Sequence, residues 1–338
     1  MPAEWEPHDA TWLTWPTNKI TWPGKMLSRV EEIYLEMMRA LLPGETVNLL
    51  VPDEKTCNKV LRRLEAKKIS SKKLVLHFVK TTDVWIRDYG PIFVKKDKDV
   101  AFTKWIFNAW GGKYADLARD TKAVDKLAYL KGFRRFDAGI ILEGGSIDVN
   151  GRGTLLTTEQ CLLNPNRNPR LSRRAIEKYL EKFLGIRKTI WLKEGIEADD
   201  TDGHVDDITR FVNPSTIVTA VEPDTSDKNH AWLDENLEIL KRSTGADGKK
   251  FNIIQLPMPG RVGPPRSDCD HTRLPESYAN FYIGNHAVLV PVYSHRNDKK
   301  AIAILRKVFP GRKIAAIECS ALVYGLGSIH CVTQQQPS

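Results

Sequence analysis

The sequence predicts an α/β fold, and three observations carry that prediction. Apolar residues recur at helical spacing in several long segments. Short runs rich in β-branched residues, bounded by turn residues, lie between those segments. The chain has 338 residues, of which 41% are hydrophobic, so it is long enough to bury a sizeable core. Helices that alternate with short strands are typical of the α/β class.

The predicted elements follow one another along the whole chain. Helices are predicted at residues 26–42, 55–66, 170–184, 231–240 and 299–308. Strands are predicted at residues 46–51, 74–79, 100–107, 153–157, 216–221, 251–256, 281–283, 287–292 and 313–317. The last three helices begin near positions 170, 231 and 299, which favours repeated strand–strand–helix units. A doubly wound sheet with insertions is the alternative that periodicity leaves open.

The cysteine pattern and the apolar segments predict a cytoplasmic protein. The five cysteines are an odd number, widely spaced and without a C-x-x-C pair, which argues against a disulfide framework or a zinc ribbon. The amino-terminal residues lack the basic and apolar regions of a secretory leader. The longest apolar stretches, such as residues 287–292, are far shorter than the roughly 20 residues of a transmembrane helix.

Charge and composition exclude several other classes. The formal net charge is +9, but Lys and Arg are scattered through helical segments such as residues 170–182, which indicates a solvated face rather than a nucleic-acid surface. No phosphate-binding or dinucleotide-binding glycine motif is present, so nucleotide chemistry has no support. No linker divides the chain, and the Pro-rich residues 258–265 are predicted to form a long surface loop of the kind that often borders a site.

The densest polar segment is residues 199–207, which carry five aspartates and run into apolar residues. So much negative charge beside a buried element needs a cationic partner. If the segment is extended, His204 and Asp206 point to the same face and into one cavity. A metal ion is the competing partner, but the residues do not fit the calcium-loop pattern, because Ala198 and Thr209 would take the first and last ligand positions. The remaining interpretation is that carboxylates of this segment hold an organic cation.

Two further carboxylates lie beside glycines. Asp88 follows strand-like residues and precedes a Gly-Pro turn, where α/β folds present catalytic groups; it could equally pair with Arg87 or cap the turn. Trp85, taken alone, is typical of a core residue. Glu143 precedes two glycines, and a carboxylate there could orient a histidine by accepting its second N–H; a simple turn is the alternative.

Near the carboxyl end, Cys331 follows a glycine-rich segment and precedes polar residues. Backbone N–H groups of such a loop would favour a reactive thiolate, although a lone cysteine is often an inert core residue. His330 is adjacent to the thiol, but neighbouring side chains of an extended backbone face opposite ways. His204, brought in by the fold, is therefore the better candidate for a general base.

These segments, taken in order with others along the chain, resemble the agmatine deiminase family, part of the guanidino-modifying superfamily that includes arginine deiminases and amidinotransferases. The resemblance covers nearly the whole chain. It rests on Met1-Pro-Ala-Glu-Trp-Glu-Pro-His8, Trp85-Ile-Arg-Asp88, Phe107-Asn-Ala-Trp-Gly-Gly-Lys113, Glu143-Gly-Gly-Ser146, Thr157-Thr-Glu-Gln-Cys-Leu-Leu-Asn-Pro-Asn-Arg-Asn-Pro169, Asp202-Gly-His-Val-Asp206, Asn280-Phe-Tyr-Ile283 and Ile329-His-Cys-Val-Thr-Gln-Gln335.

The resemblance implies a five-bladed, pseudo-symmetric α/β propeller with the active site in a central channel. It implies one catalytic domain over residues 1–338, built of five strand–strand–helix–strand modules, and a homo-oligomer without metal or other cofactor. The roles it implies are a nucleophile, Cys331; a general acid and base, His204; a guanidinium-binding pair, Asp88 and Asp206; a supporting carboxylate, Glu143; and two groups for the far amine of agmatine, Trp85 and Asp200.

The implied reaction is hydrolysis of agmatine to N-carbamoylputrescine and ammonia, on the route to polyamines, through a covalent thiouronium intermediate on Cys331. Deimination of peptidyl-arginine or free arginine is the alternative, and a basic binding protein without catalysis is the second. Three positions depart from the family pattern. Leu326 and Asp148 stand where relatives have glycine and histidine, and Asp200 is one methylene shorter than the Glu of some relatives.

Overall fold

The predicted α/β class is confirmed. The structure, a computed structural model, describes residues 1–260 and 273–338, and of residues 128–131 only the backbone. The strands are β1 His8–Thr14, β2 Thr46–Val51, β3 Leu74–Phe78, β4 Ile92–Lys96, β5 Asp99–Ile106, β6 Arg134–Ile141, β7 Asp148–Val149, β8 Thr154–Thr158, β9 Lys188–Leu192, β10 Thr209–Asn213, β11 Thr216–Val221, β12 Asn252–Pro257, β13 Tyr282–Ile283, β14 Ala287–Val292, β15 Lys313–Glu318 and β16 Gln334–Pro337.

Five of the six longer helices lie close to the predicted positions, and α3 was not predicted. They are α1 Met26–Leu41, α2 Glu54–Ala66, α3 Ala123–Lys131, α4 Arg173–Leu184, α5 Lys228–Arg242 and α6 Asp298–Val308. Single helical turns occupy Ile86–Tyr89, Ala109–Gly112, Leu117–Lys122, Gly144–Ser146, Glu159–Leu162, Val205–Asp207 and Ser320–Val323. Local chemistry sets several ends: Asp53 and Ser172 accept backbone N–H bonds at the starts of α2 and α4. Gly185 ends α4 in a left-handed conformation, φ 71°.

The strands form five small sheets rather than one doubly wound sheet in the described part of the chain. Four sheets have the orders β4-β5-β6, β7-β8-β9, β10-β11-β12 and β13-β14-β15. In each of them the first pair of strands is antiparallel and the second pair is parallel, joined through α3, α4, α5 or α6. A right-handed parallel crossover needs such a helix, which explains the repeat seen in the sequence.

The fifth sheet joins the two ends of the chain. Its order is β16-β1-β2-β3, with β16 antiparallel to β1 and the other pairs parallel. Trp12 Nε1 donates to Gln336 Oε1 at 3.0 Å, so the polar β16 is held by side-chain as well as backbone bonds. Cys331 lies three residues before β16, and this sheet therefore positions it.

Buried apolar side chains fill the space between the sheets and the helices. The largest cluster contains Trp12, Trp15 and Trp22 together with residues of α1, β2 and β14. Two smaller clusters pack around α4 and α5. Burial of each such side chain stabilises the fold by about 1.5–3 kcal/mol. No helix among the described residues is both long and apolar enough to cross a membrane.

Two local expectations are wrong, and one lies outside the described residues. Asp88 does not end a strand but lies in the helical turn Ile86–Tyr89, because the Gly90 N–H bonds back to Ile86 O. The segment after His204 is not extended, since Val205–Asp207 forms a 3₁₀ turn. The predicted loop at residues 258–265 falls outside the described residues from position 261 onward, as does Cys269.

Candidate active site

A cavity of about 800 Å³ opens beside the carboxyl-terminal segment that carries Cys331. Its wall brings together parts of the chain that are far apart in sequence. The lining includes Asn18 and Ile20 of the amino-terminal part, Asp83, Trp85 and Asp88, Trp110 and Tyr114, Asp200 and Thr201, and Leu326, Gly327 and Cys331. Four of the predicted site residues, Trp85, Asp88, Asp200 and Cys331, therefore face one space.

Cys331 lies at the inner end of this cavity, with 6% of its surface exposed. Burial, reinforced by the negative charges of Asp206, Asp207 and Asp88, raises the pKa of its thiol well above the ordinary value. The side-chain amide of Asn280 lies 3.2 Å from Sγ. In the empty site, Cys331 is therefore a thiol, and an incoming cation would be needed to favour the thiolate.

Gly327 allows Trp85 and Cys331 to share the cavity wall. A Cβ atom at position 327 would lie 2.4 Å from Trp85 Cζ3 and 3.2 Å from Cys331 Cβ. Trp85 itself is 5% exposed and packs near Trp22 and Trp110, with ring centroids 5.8 and 6.3 Å away. The aromatic wall beside the thiol is thus a result of close packing that only glycine permits.

Asp88 is buried and held by neutral donors. Trp110 Nε1 donates to Oδ2 at 2.9 Å, and the Gly145 N–H donates to Oδ1 at 3.0 Å. Burial, together with the charges of Asp206 and Glu143, raises the pKa of Asp88 well above its ordinary value. Burial and the neighbouring anions therefore favour the protonated form of Asp88 when no cation is bound.

Asp206 is equally buried but has a different partner. Its Oδ2 lies 2.6 Å from His330 Nδ1, and its Oδ1 has no hydrogen-bond partner among the described residues. Burial works to raise the pKa of Asp206, but the hydrogen bond and charge of His330 outweigh it and lower the pKa. Asp206 is thus an anion with one free oxygen, which suits it to bind a cation.

His204 lies between these carboxylates. Its Nδ1 is 3.8 Å from Asp88 Oδ1, and its Nε2 is buried without a partner among the described residues. Burial lowers the pKa of the imidazole to about 3, so the ring is neutral and can accept a proton. A Cβ atom at Gly145 would lie within 3.0 Å of His204, Asp88 and Asp206, so glycine is required where the three meet.

Glu143 lies behind this group. Its Oε1 accepts from Arg167 Nε at 2.7 Å, while Oε2 is buried without a partner in the described part of the chain. Burial raises the pKa of Glu143 despite the charge of Arg167. Glu143, His204 and Cys161 each have a polar atom within 4.8 Å of the others, so Glu143 is a neighbour of the imidazole without a hydrogen bond to it among the described residues.

At the outer rim, Asp200 is only half-buried. Its carboxylate bonds to the Tyr114 hydroxyl, and its backbone carbonyl accepts from Lys113 Nζ at 2.5 Å. Lys113 also pairs with Asp202 at 2.7 Å, and Asp202 in turn accepts from Arg167 Nη1 at 2.6 Å. Asp200 therefore lines the cavity in a mixed-charge region that is wetter than the inner end.

Three site residues were not identified individually from the sequence: Asn280, Trp110 and Arg167. Trp110 follows Ala109 in left-handed backbone, φ 55° at both, which places the indole N–H on Asp88. The two glycines that follow Trp110 are the only sequence signal of this turn. Asn280 and Arg167 are polar residues that become buried only when distant segments meet.

The structure shows where two of the departures from the family pattern lie. Leu326 takes the left-handed conformation, φ 70°, that favours glycine, and its side chain lines the cavity. Asp148 is buried and accepts from Arg210 Nε at 3.0 Å and from the Phe211 N–H at 2.8 Å. Asp148 therefore belongs to a charge network behind the site rather than to the cavity wall.

Two groups of side chains have atoms that could also bind a metal ion. They are Glu143 with Cys161 and His204, and Asp206 with Asp207 and Cys331, each within 4.8 Å. In both groups a carboxylate oxygen is already bound to Arg167 or His330. The chemistry of the second group suits an organic cation equally well, and the absence of a metal cofactor stays a prediction.

Comparisons with known proteins place the chain in a family. It matches the family model of the Porphyromonas-type peptidyl-arginine deiminases over residues 1–337. A Legionella pneumophila (strain Paris) protein, named a candidate agmatine deiminase, is 37% identical over all of this chain and 95% of its own length. The Enterococcus faecalis agmatine deiminase, captured catalysing its reaction, has a TM-score of 0.91 and 30% identity over 100% and 95% of the two chains. The C. jejuni agmatine deiminase, a cysteine-to-serine variant with substrate bound, has a TM-score of 0.84 and 30% identity over 100% and 96%.

Proposed function

The chain belongs to the Porphyromonas-type peptidyl-arginine deiminase family, and from that premise we propose that it hydrolyses agmatine to N-carbamoylputrescine and ammonia. The family resemblance and the enzyme class predicted from the sequence are confirmed by full-length similarity. The observation that carries the specific proposal is a cavity whose wall holds the Cys331 thiol and Asp88. The neutral imidazole of His204 and Asp206, whose pKa shift is opposite to that of Asp88, are buried next to Asp88 around Gly145.

The five sheets support a propeller arrangement with the cavity at its centre. We propose that they form five modules of a single domain over residues 1–338. Each supplies loops or strand ends to the site: Asp88 precedes β4, Glu143 precedes β7, His204 and Asp206 precede β10, Asn280 precedes β13, and Cys331 precedes β16. Equivalent positions before the first strand of each sheet are expected of pseudo-symmetric modules around one axis.

Asp88 and Asp206 are the proposed clamp for the guanidinium group. A guanidinium is planar and has five N–H donors, so two carboxylates can bind its edges and leave its central carbon open to attack. Asp206, whose pKa is lowered, is ionised before the substrate binds, and its Oδ1 has no hydrogen-bond partner among the described residues. Asp88 becomes an anion when the substrate cation arrives, because that charge offsets the repulsion that raises the pKa of Asp88.

The first chemical step is attack by Cys331. The bound cation favours the thiolate, and His204, neutral in the empty site, takes the thiol proton. Sulfur then forms a bond to the guanidinium carbon. His204 gives its proton to one amino group, the C–N bond breaks, and ammonia leaves. The product of this half-reaction is an S-alkylthiouronium cation bound to Cys331.

The second step is hydrolysis. His204, neutral again, takes a proton from a water molecule, and the hydroxide adds to the thiouronium carbon. The C–S bond then breaks and the sulfur takes back the proton held by His204. The product loses its hydroxyl proton to solvent and leaves as the neutral ureido compound. Glu143 supports both steps by keeping the imidazole in place.

The outer rim is the proposed site for the second cation of agmatine. Asp200 and the indole of Trp85 line the same cavity as Cys331, so a short chain with an amine at each end can reach both. Free arginine would place its carboxylate near Asp200 and be repelled. Deimination of peptidyl-arginine is the second candidate, and a basic binding protein without catalysis is the third.

One experiment separates the three candidates. The purified, metal-chelated protein is offered agmatine, free arginine and an arginine-containing peptide, and ammonia and ureido product are measured. Turnover of agmatine alone is the expected result. Turnover of the peptide would support the same chemistry but show that agmatine is not the substrate. No turnover of any of the three compounds would favour a binding protein without catalysis.

A further inference from the structure

A buried network of charged groups extends from Asp206 to the amino-terminal segment of the chain. We call it the relay; its members are Asp206, His330, Glu4, Arg210, Arg87 and Asp148. The His330 ring bonds to Asp206 Oδ2 through Nδ1 at 2.6 Å and to Glu4 Oε2 through Nε2 at 2.7 Å. All three residues are at most 3% exposed. The two contacts use both ring nitrogens, so His330 has no nitrogen left for Cys331 or for substrate.

The two contacts of the His330 ring restrict how the ring can form hydrogen bonds. An ionised carboxylate only accepts hydrogen bonds, so a ring placed between two of them must donate from both nitrogens. Burial works to raise the pKa of Glu4, but the charges of Arg210, His330 and Arg87 hold it well below its ordinary value. With Glu4 and Asp206 both ionised, each ring nitrogen of His330 faces a carboxylate that can only accept a hydrogen bond.

Two arginines complete the relay and balance its charge. Arg210 donates to Glu4 Oε1 at 2.8 Å and to Asp148 Oδ2 at 3.0 Å, and Arg87 lies 3.4 Å from Glu4 Oε2. Three carboxylates thus face three basic side chains almost entirely away from solvent, and pairing of this kind is the condition under which buried charges are tolerated. Arg87 also donates from Nε to the His330 carbonyl at 3.2 Å, so the same group fixes the backbone next to Cys331.

We propose that Glu4 and His330 are positioning residues for the reaction: Glu4 holds the His330 ring charged between two carboxylates, and the ring keeps Asp206 oriented toward the substrate guanidinium. The consequence for catalysis rests on the proposed function, since it assumes that Asp206 binds that guanidinium. Without the charge of Glu4, the ring would lose the acceptor that retains its second proton. Asp206 would then gain a proton at a higher pH and bind a cation less well.

Several charged groups besides Glu4 surround the relay. The titratable and charged groups that face Asp206 are His204, Asp207, Asp199, Asp88, Cys331, Arg210 and His330. Those that face His330 are Glu4, Asp206, Asp148 and Arg87. Glu4 contacts His330, Arg210 and Arg87, so Glu4→Gln acts on the groups of the cavity wall through the relay.

The first test compares Glu4→Gln with Glu6→Gln, a matched control from the same segment that lies outside the relay. For agmatine, Glu4→Gln should raise KM about tenfold with a smaller change in kcat, because one charge-assisted contact is weakened. In an Asp88→Asn background, where the raised pKa of Asp88 no longer masks the lower pKa of Asp206, the acid limb of kcat/KM should move up by about one pH unit. Glu6→Gln should leave both unchanged. An unchanged acid limb and KM in folded Glu4→Gln, with kcat alone reduced, would overturn the positioning role.

The second test needs neither a variant nor turnover. Nitrogen-15 NMR of histidine-labelled wild-type protein, with His330 assigned through its sequence neighbours, should show both ring nitrogens protonated at pH 7. One unprotonated nitrogen would overturn the relay even if Glu4→Gln does not fold. If the wild-type protein does not turn over agmatine, the proposed function fails, while this spectrum still decides the protonation of the relay.

Discussion

The two carboxylates of the clamp, Asp88 and Asp206, are held in opposite ways. Asp88 accepts from two neutral donors, an indole N–H and a backbone N–H, and its pKa is raised by burial and by neighbouring anions. Asp206 accepts from His330, and that interaction lowers its pKa although the carboxyl is fully buried. The family resemblance implies the same role for the two residues, but their surroundings in the structure shift their pKa values in opposite directions.

The difference shows how the protein limits negative charge in an empty, buried site. Burial and neighbouring charges favour the uncharged forms of Asp88, Cys331 and His204, whereas His330 lowers the pKa of Asp206. Isolated buried charges are costly, so keeping Asp88 and Cys331 uncharged until a cation binds reduces the number of unbalanced anions in the site. The substrate cation then supplies the charge that allows Asp88 and Cys331 to ionise.

The largest expected effect comes from removing the nucleophile. Cys331→Ala should lower turnover of agmatine by about 10⁴-fold or more, because no other group can form the covalent bond. Both clamp carboxylates remain, so agmatine should still bind. Ammonia release measures the first effect, and calorimetry measures the second. Undiminished turnover in this variant would exclude Cys331 as the nucleophile.

Replacing Asp88 or Asp206 by asparagine should lower kcat/KM for agmatine, and the two losses should differ. Asp206→Asn should lower kcat/KM by about 10³-fold, because it removes a standing charge and leaves the His330 cation unbalanced. Asp88→Asn should lower it by about 10²-fold, because the amide resembles the protonated carboxyl of the empty site.

Steady-state kinetics with agmatine measures this difference, and thermal unfolding of each variant reports whether the fold is retained. Asp137→Asn, on the surface, serves as the control. Equal losses for the two clamp variants would contradict their unequal ionisation.

Binding of agmatine should release a proton, and Asp88 is its source in the Cys331→Ala variant. The raised pKa means that Asp88 is neutral in the empty site below that pKa and ionised in the complex. The affinity should therefore increase as pH rises and level off above the raised pKa. Calorimetry in buffers of different ionisation enthalpy measures the proton. Adding Asp88→Asn should abolish the release; its persistence would identify another group as the source.

The smallest expected effect lies at the rim. Asp200→Asn should raise KM for agmatine about fivefold to tenfold, because the exposed contact with the tail amine is screened by solvent. A guanidine of the same length without the amine should be affected much less, and Asp200→Glu should retain most of the affinity. Equal changes for both compounds would argue against a tail-amine site at Asp200.

The sequence predicted the α/β class and the positions of the regular helices well, because amphipathic periodicity and capping residues are local signals. It did not predict the helix α3 or the strands β1, β4, β6, β7, β9, β10 and β16. Residues of β6 alternate poorly between apolar and polar, β7 has two residues, and β16 is a buried run of glutamines. Such strands form because neighbouring strands supply their backbone partners.

The residues that carry the chemistry were predicted from ordered motifs, whereas their electrostatic partners were not. Glu4 and His330 are 326 positions apart in the chain and meet only because β1 and β16 pair. Arg167 likewise becomes the partner of Glu143 across 24 positions. Spacing in the sequence has no information about such contacts, so the unequal charges of Asp88 and Asp206 could not be predicted from it.

The most direct test of the central claim is mass spectrometry of the wild-type protein, quenched with acid during turnover of agmatine. The expected result is a transient adduct on the Cys331 peptide, with the mass of agmatine less one ammonia. Product formation without any adduct on Cys331, or an adduct on another residue, would contradict the covalent mechanism and the placement of the site.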